Sequence, residues 1–407
     1  MEDDISNYKA KSQKNPMDPI IYVNWGEELN IQGKYEHALK KYQKAIELDP
    51  EFTNAYYNCG IVLQKLGRYE EAIEKYEKSI ELDPKHTNAY FNWAYILDDL
   101  GRYEDALEKY QKAIELDPEY LDAYYNWGGT FFNLGRYEEA IEKYESVIEL
   151  DPNYLDAYYN CAYLLDEIGR YEEAIEKYQK VIEIDPKYTN AYYNWACILD
   201  EIGKYEEAIE KYQKVIEIDP ENLEAYNNWG NALFNLERFE EALEIFQKII
   251  ELDPEYVDAY NNWGNMLNEL GRLDEAIEKY QKLIELDPEY LKAYYNWGNI
   301  LNKQGRYEEA IDKYKRVLEI DEGYVKVFIN YGIVLKKLGR YDEAIKRYQK
   351  AIEIDPKYTK AYYNWGCLLD ELGRYDDAKF IFEKLLEIYP DHVEVRNLLE
   401  KIKNKWE

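Results

Sequence analysis

The sequence predicts an all-α protein built as a solenoid of stacked helix pairs, and three observations support this. One residue pattern recurs every 34 positions, eleven times, along the 407-residue chain. Each repeat holds two stretches in which apolar residues recur at helical spacing. A glycine usually separates the stretches and a proline usually follows the second. Two-helix repeats of this length stack side by side around a continuous core.

Residues 121–154 show the elements of one repeat. The first stretch predicts a helix with Trp127 and Phe131 on its apolar stripe. Gly135 predicts the end of that helix, because glycine tolerates the left-handed backbone that ends many helices. The second stretch predicts a helix with Tyr144 on its buried side. Pro152 predicts the corner that leads to the next repeat.

The repeats fill residues 19–392, and a polar segment precedes them. Their predicted bounds are 19–52, 53–86, 87–120, 121–154, 155–188, 189–222, 223–256, 257–290, 291–324, 325–358 and 359–392. We expect residues 1–18 to be mobile, because so polar a segment cannot bury apolar surface.

A capping helix is predicted for residues 393–407, because the last repeat of a solenoid would otherwise expose an apolar edge. The side chains expected on its apolar face are Val395, Leu398, Leu399, Ile402 and Trp406.

The repeat is similar to that of the tetratricopeptide repeat family over about nine-tenths of the chain. In the eighth repeat the matching residues are Tyr260, Trp263, Gly264, Leu267, Ala276, Tyr280 and Pro288. The resemblance implies a right-handed superhelix of helix-turn-helix repeats, with the first helices along a concave inner surface. Two departures carry expectations of their own. Glu237 replaces the glycine between helices, which predicts a differently built turn, and Glu322 with Gly323 replaces the corner proline, which predicts a looser joint.

Composition restricts the partners and the location. The net charge of −32 excludes an array-wide attraction to nucleic acid or anionic membranes and favours basic or neutral polypeptides. The start lacks an apolar signal, and no stretch approaches the ~20 apolar residues of a membrane helix. A cytoplasmic protein is therefore predicted. The four scattered cysteines are interpreted as reduced, small apolar residues.

Catalysis finds little support in the sequence. The three histidines, His37, His86 and His392, lie at predicted surface or corner positions. No phosphate-binding glycine loop, nucleophile elbow or metal-ligand cluster is found. The sequence therefore predicts no catalytic residue, no metal site and no cofactor.

An asparagine stands at the sixth position of every repeat. These residues are Asn24, Asn58, Asn92, Asn126, Asn160, Asn194, Asn228, Asn262, Asn296, Asn330 and Asn364. A carboxamide matches the C=O and N–H groups of a peptide backbone, so the row could hold an extended chain. It resembles the asparagine ladder in the repeat superhelix of the O-linked N-acetylglucosamine transferases, whose catalytic domain has no counterpart here. The alternative is that each asparagine bridges adjacent helices.

Neighbouring positions suggest how a ligand would be oriented. Tyr125, Tyr159 and Tyr193 precede the asparagines and either contact a ligand or pack between successive first helices. Acidic residues occupy the inner positions of the third to eighth repeats, whereas Lys292, Lys326 and Lys360 recur in the last three. This segregation favours a directional ligand that has a basic segment.

The leading hypothesis is a non-enzymatic scaffold that binds an extended or disordered polypeptide in its concave groove. One alternative is a structural or self-associating solenoid, and another is the non-catalytic partner of a separate glycosyltransferase. A chaperone partner is a further alternative, because Asn299, Asn330 and Lys360 match three of the five carboxylate-clamp positions of chaperone-binding family members. The oligomeric state stays open.

Overall fold

A computed structural model describes residues 2–404, with side chains for residues 8–402. Within this range the chain forms 24 α-helices and no β-strand, which confirms the all-α prediction. Contacts between helices divide the chain after Ile202 into two compact halves.

The N-terminal half contains α1 to α12. These are α1 (Glu2–Lys14), α2 (Pro19–Ile31), α3 (Tyr35–Leu48), α4 (Thr53–Lys65), α5 (Tyr69–Leu82), α6 (Thr87–Asp99), α7 (Tyr103–Leu116), α8 (Leu121–Asn133), α9 (Tyr137–Leu150), α10 (Leu155–Glu167), α11 (Tyr171–Ile184) and α12 (Thr189–Glu201). From α2 onward, even numbers mark the first helix of a repeat and odd numbers mark the second.

The C-terminal half contains α13 to α24. These are α13 (Tyr205–Ile218), α14 (Leu223–Asn235), α15 (Phe239–Leu252), α16 (Val257–Glu269), α17 (Leu273–Leu286), α18 (Leu291–Lys303), α19 (Tyr307–Ile320), α20 (Val325–Lys337), α21 (Tyr341–Ile354), α22 (Thr359–Glu371), α23 (Tyr375–Ile388) and α24 (Val393–Asn404).

Close approach of the two helices defines the core of a repeat. A Cβ on Gly128 of α8 would lie 2.8 Å from the Tyr144 ring of α9, so only glycine fits there without movement. The Tyr144 ring and Ala140 are buried between the helices. Burying a large apolar side chain stabilises the fold by about 1.5–3 kcal/mol. The pairing of α8 with α9 is thus built from one small residue facing one large ring.

The turn in the repeat that lacks glycine has the same construction as an ordinary turn between paired helices. Gly135 has φ 70°, and Arg136 N–H donates to the Phe131 carbonyl at 2.9 Å. Glu237 has φ 59°, and Arg238 N–H donates to the Leu233 carbonyl at 2.9 Å. The expectation that the Glu237 turn is built differently is wrong. The flanking helices impose the left-handed backbone on a residue that has a Cβ.

The corner without proline also keeps the common geometry. Gly323 N–H donates to Asp321 Oδ1 at 2.8 Å, as Asn153 N–H donates to Asp151 Oδ1 at 3.0 Å in an ordinary corner. Glu322 stands where the other corner has Pro152. The fold of the joint is therefore conventional, and its greater mobility stays a prediction.

Helices also form at both ends of the array. The polar segment before the first repeat contains α1, and its mobility stays a prediction. Val395 and Ile402 of α24 are buried, while Leu398 and Leu399 pack partly buried against the core of the last repeats. Trp406, expected on the same face, lies outside the described residues.

Two further expectations concern membranes and cysteines. None of the described helices combines the length and apolar character needed to span a bilayer. All four cysteines are free, as expected for reduced residues. Burial raises the pKa of the Cys59 thiol to about 12, so the thiol stays protonated at neutral pH.

Candidate binding face on the first helices

Successive first helices approach each other within each half. Contacts join α4 to α6 in the N-terminal half and α20 to α22 in the C-terminal half. Within the described residues, no comparable contact joins successive second helices. The first helices therefore form the crowded side of the stack, which we call the inner face.

The asparagines on the inner face link successive repeats. Asn160 Nδ2 donates to the hydroxyl of Tyr125, 35 positions earlier, at 3.0 Å. The same bridge joins Asn92 to Tyr57 at 3.0 Å, Asn194 to Tyr159 at 3.1 Å and Asn330 to Tyr295 at 2.9 Å. A hydrogen bond of this kind contributes about 0.5–1.5 kcal/mol net. The helix-bridging alternative weighed from the sequence is therefore realised at these positions.

The bridge changes when the preceding repeat lacks the tyrosine. Phe91 and Ile329 have no hydroxyl, and the asparagines that follow them bond within their own helices. Asn126 donates to the Asp122 carbonyl at 2.7 Å and Asn364 to the Lys360 carbonyl at 2.8 Å. The asparagine thus adapts to the side chain offered by the preceding repeat.

Other asparagines find carboxamide or carboxylate partners in the preceding repeat. Asn262 donates to Asn227 at 2.9 Å, Asn296 to Asn265 at 2.9 Å and Asn58 to Glu27 at 3.3 Å. Asn24 is exposed and Asn228 is half-buried on the same face. A carboxamide carries two N–H donors and an acceptor oxygen, so one bridge leaves capacity for a second partner.

The tyrosines that precede the asparagines are packed among other rings. Tyr125 lies 5.6 Å from Tyr144 and 5.3 Å from Tyr154 between ring centroids. Tyr159 has a similar setting, and Tyr193 is half-buried. Packing between repeats thus occupies much of these rings.

The most exposed rings of the inner face stand at other positions. Tyr95, Phe132 and Tyr163 are 44%, 40% and 38% exposed. Phe132 and Tyr163 meet with centroids 6.3 Å apart. Reasoning from the sequence did not single out Tyr163. The available signal was its place at the ninth position of a repeat, the same position that Tyr95 holds.

Carboxylates crowd the inner face of the N-terminal half. Burial, together with the neighbouring Glu201 and Glu167 carboxylates, raises the pKa of Asp166 to about 6. Burial also raises the pKa values of Asp98 and Asp200, and hydrogen bonds with Thr130 and Asn133 partly offset the rise at Asp98. A nearby cation would stabilise the charged form of these carboxylates.

Lysines of the C-terminal half fall into two groups. Lys292, Lys326 and Lys360 are exposed at the second residue of α18, α20 and α22, where the helix dipole disfavours positive charge. Lys336 pairs with Glu371 at 2.6 Å, and Lys337 donates to Asn302 at 3.0 Å. The second group bridges successive repeats, whereas the first group faces solvent.

Several solved structures are similar to this chain. YrrB, described as a TPR protein with an unusual peptide-binding site, is 30% identical over 45% of this chain and 95% of its own, with a TM-score of 0.40. MamA is 28% identical over 42% of this chain and 92% of its own, with a TM-score of 0.40. Yeast Tom70 is 17% identical over 97% of each chain, with a TM-score of 0.46. The comparison with curated proteins gave no match.

Family models cover most of the chain. Those described as TPR repeat or tetratricopeptide repeat match residues 26–67, 51–119, 91–154, 131–194, 198–237, 223–256, 245–278, 264–305, 289–357 and 335–402. Within each half, first and second helices of the same repeat pair as the family resemblance implies. The chain belongs to the tetratricopeptide repeat family.

Proposed function

We propose that the protein is a non-enzymatic interaction scaffold that binds an extended polypeptide along its inner face. The observation that carries this proposal is the charge of α6, α8, α10 and α12. These four successive first helices hold eight carboxylates and no lysine, arginine or histidine. A polypeptide with a basic segment is the complementary partner.

Backbone contacts alone do not supply enough binding energy. Neighbouring helices lie ~8–10 Å apart and an extended strand advances ~3.3 Å per residue, so each asparagine serves about three ligand residues. Two hydrogen bonds contribute about 1–3 kcal/mol, whereas ordering three residues costs about 3–6 kcal/mol. The bridges to the preceding repeat use part of each carboxamide as well. Binding must therefore rest mainly on ligand side chains.

Exposed rings and unpaired charges provide contacts for those side chains. Tyr95, Phe132 and Tyr163 offer apolar surface within the acidic run of the N-terminal half. In the C-terminal half, the exposed lysines Lys292, Lys326 and Lys360 favour an acidic segment or a terminal carboxylate. The asparagines would add hydrogen bonds to the ligand backbone.

The test is capture of fluorescent 12-residue library peptides by the full chain at several salt concentrations. We expect peptides with a basic segment to be retained, and more weakly as salt rises. The double variant Asp166→Asn, Glu201→Gln should weaken capture. The matched control is Glu138→Gln, Glu142→Gln, which removes the same charge from the exposed surface of the second helix α9. Failure of the wild-type chain to retain any peptide, or equal losses in both double variants, would contradict the proposal.

A further inference from the structure

Gly129 lies inside α8, where packing gives no reason for a glycine. Glycine in a helix interior costs about 0.5–1 kcal/mol relative to alanine. The adjacent Gly128 has a packing reason, because its Cβ would lie 2.8 Å from the Tyr144 ring. A Cβ on Gly129 would have a single neighbour within 4 Å, the Tyr144 hydroxyl at 3.9 Å. The missing side chain therefore leaves open space on the inner face.

The opening uncovers part of a core tyrosine. Gly129 is the ninth residue of its repeat, and the flanking repeats carry Tyr95 and Tyr163 there. The core tyrosines of those repeats, Tyr110 and Tyr178, are 0% exposed, whereas Tyr144 is 4% exposed. Its hydroxyl edge thus forms the floor of a slot about as large as the tyrosine side chain found in the flanking repeats.

The register of the repeats places the walls of this slot. A ninth-position side chain meets the twelfth position of the preceding repeat, as Tyr163 meets Phe132 at 6.3 Å. It also meets the sixth position of the following repeat, as Asn265 accepts from Asn296 at 2.9 Å. By the same register the space beside Gly129 lies between Asp98 and Asn160.

Electrostatic neighbours of Tyr144 agree with this placement. Burial raises the pKa of Tyr144, and the nearby Asp98 carboxylate raises it further. Asn160 is also close enough to influence that pKa. Phe132, one turn after Gly129 in α8, adds a ring that is 40% exposed. The slot is therefore bounded by a carboxylate, a carboxamide, a hydroxyl and an aromatic ring.

Asp98 gives the slot its charge preference. Its Oδ1 is buried, and hydrogen bonds with Thr130 and Asn133 only partly offset the rise in pKa that burial causes. The adjacent Asp99 adds a second carboxylate, and none of α6, α8, α10 and α12 supplies a cation. A half-buried carboxylate without a counter-charge is stabilised when a cation enters.

We propose that the slot formed by Asp98, Gly129, Phe132, Tyr144 and Asn160 holds an arginine side chain of the bound polypeptide. A guanidinium group stacks on aromatic rings and donates hydrogen bonds in its plane, here to the Asp98 carboxylate and the Tyr144 hydroxyl. Its length and flat shape suit a space of tyrosine size. This assignment rests on the proposed function and narrows its basic segment to one residue type at one place.

The test fills the slot with a side chain that the neighbouring repeats already carry at the same position. Gly129→Tyr gives this repeat the side chain that both flanking repeats carry, so the variant is expected to fold. Basic 12-residue peptides retained by the wild-type chain are resynthesised with each arginine replaced by citrulline or lysine. For one arginine, citrulline should weaken wild-type binding about tenfold or more, with lysine between the two. In Gly129→Tyr that difference should vanish.

Two further variants distinguish loss of the slot from a general effect of substitution on peptide binding. Gly129→Ala fills only part of the space, because its Cβ makes only an ordinary contact, so it should reduce the difference between arginine and citrulline less than Gly129→Tyr does. Asp98→Asn should reduce the arginine preference without lowering the melting temperature. An unchanged arginine preference in Gly129→Tyr would overturn the slot and leave the proposed function standing. Retention of no peptide by the wild-type chain would overturn the proposed function and the slot together.

Discussion

Asn160 Nδ2 lies 3.0 Å from the Tyr125 hydroxyl of the preceding repeat. This contact ties α10 to α8 through side chains that also face the proposed ligand. The asparagine row therefore serves packing first, and any grip on a ligand backbone uses the capacity that the bridges leave. The two roles can be separated by changing the tyrosine and keeping the asparagine.

Tyr125→Phe should weaken the array locally, and Phe91→Tyr should strengthen it. The first variant removes the hydroxyl that Asn160 uses, and the second offers one to Asn126. Each change should shift the free energy of unfolding by about 0.5–1.5 kcal/mol, in opposite directions. Urea denaturation measures the shift. If neither variant departs from the wild type, the bridge does not contribute to stability.

Glu237→Gly should stabilise the protein. Its φ of 59° lies in the left-handed region, which costs a residue with a Cβ about 1–2 kcal/mol relative to glycine. Thermal unfolding should show a higher midpoint for the variant. The reverse change at an ordinary turn, Gly135→Ala, should lower the midpoint, and a gain there would refute the strain explanation.

Two adjacent glycines of α8 should respond oppositely to the same substitution. Gly128→Ala forces a Cβ to within 2.8 Å of the Tyr144 ring and should cost about 1–3 kcal/mol through overpacking. Gly129→Ala meets only the hydroxyl at 3.9 Å and should gain about 0.5–1 kcal/mol from helix propensity. Chemical denaturation of both variants checks the signs. Destabilisation by both would mean that the slot is not open.

Asp166 should make stability depend on pH. Its pKa is raised to about 6 by burial and by Glu201 and Glu167, above the usual 3.8. Because the folded state binds the proton more tightly than the unfolded state, this carboxyl destabilises the fold at neutral pH, and the penalty is relieved as pH falls from about 7 to 4. The difference in thermal midpoint, wild type minus Asp166→Asn, should become more positive as the pH is lowered over that range. A flat difference would contradict the pKa assignment.

The sequence predicted the helix pairs well because period and apolar spacing are local signals. It failed at Glu237, where the packed flanking helices override the local preference for glycine. It left the asparagine role open, because whether a carboxamide meets a tyrosine or a ligand depends on the register between repeats. The slot at Gly129 was equally hidden. The eighth position holds glycine or alanine in every repeat, which marks Gly128 as a packing residue, but nothing in the pattern shows that the space beside Gly129 is open.

Gly129 affects how an extended ligand is positioned along the repeats. Along the acidic helices α6 to α12, a basic ligand would still meet carboxylates after a shift of one repeat, so charge alone leaves its position ambiguous. The ninth position of the other ten repeats always carries a side chain, and only this one is empty. A single missing side chain makes this repeat different from the others and defines one position along the inner face. A ligand whose arginine occupies this slot is held in one register, although similar contacts are available in the neighbouring repeats.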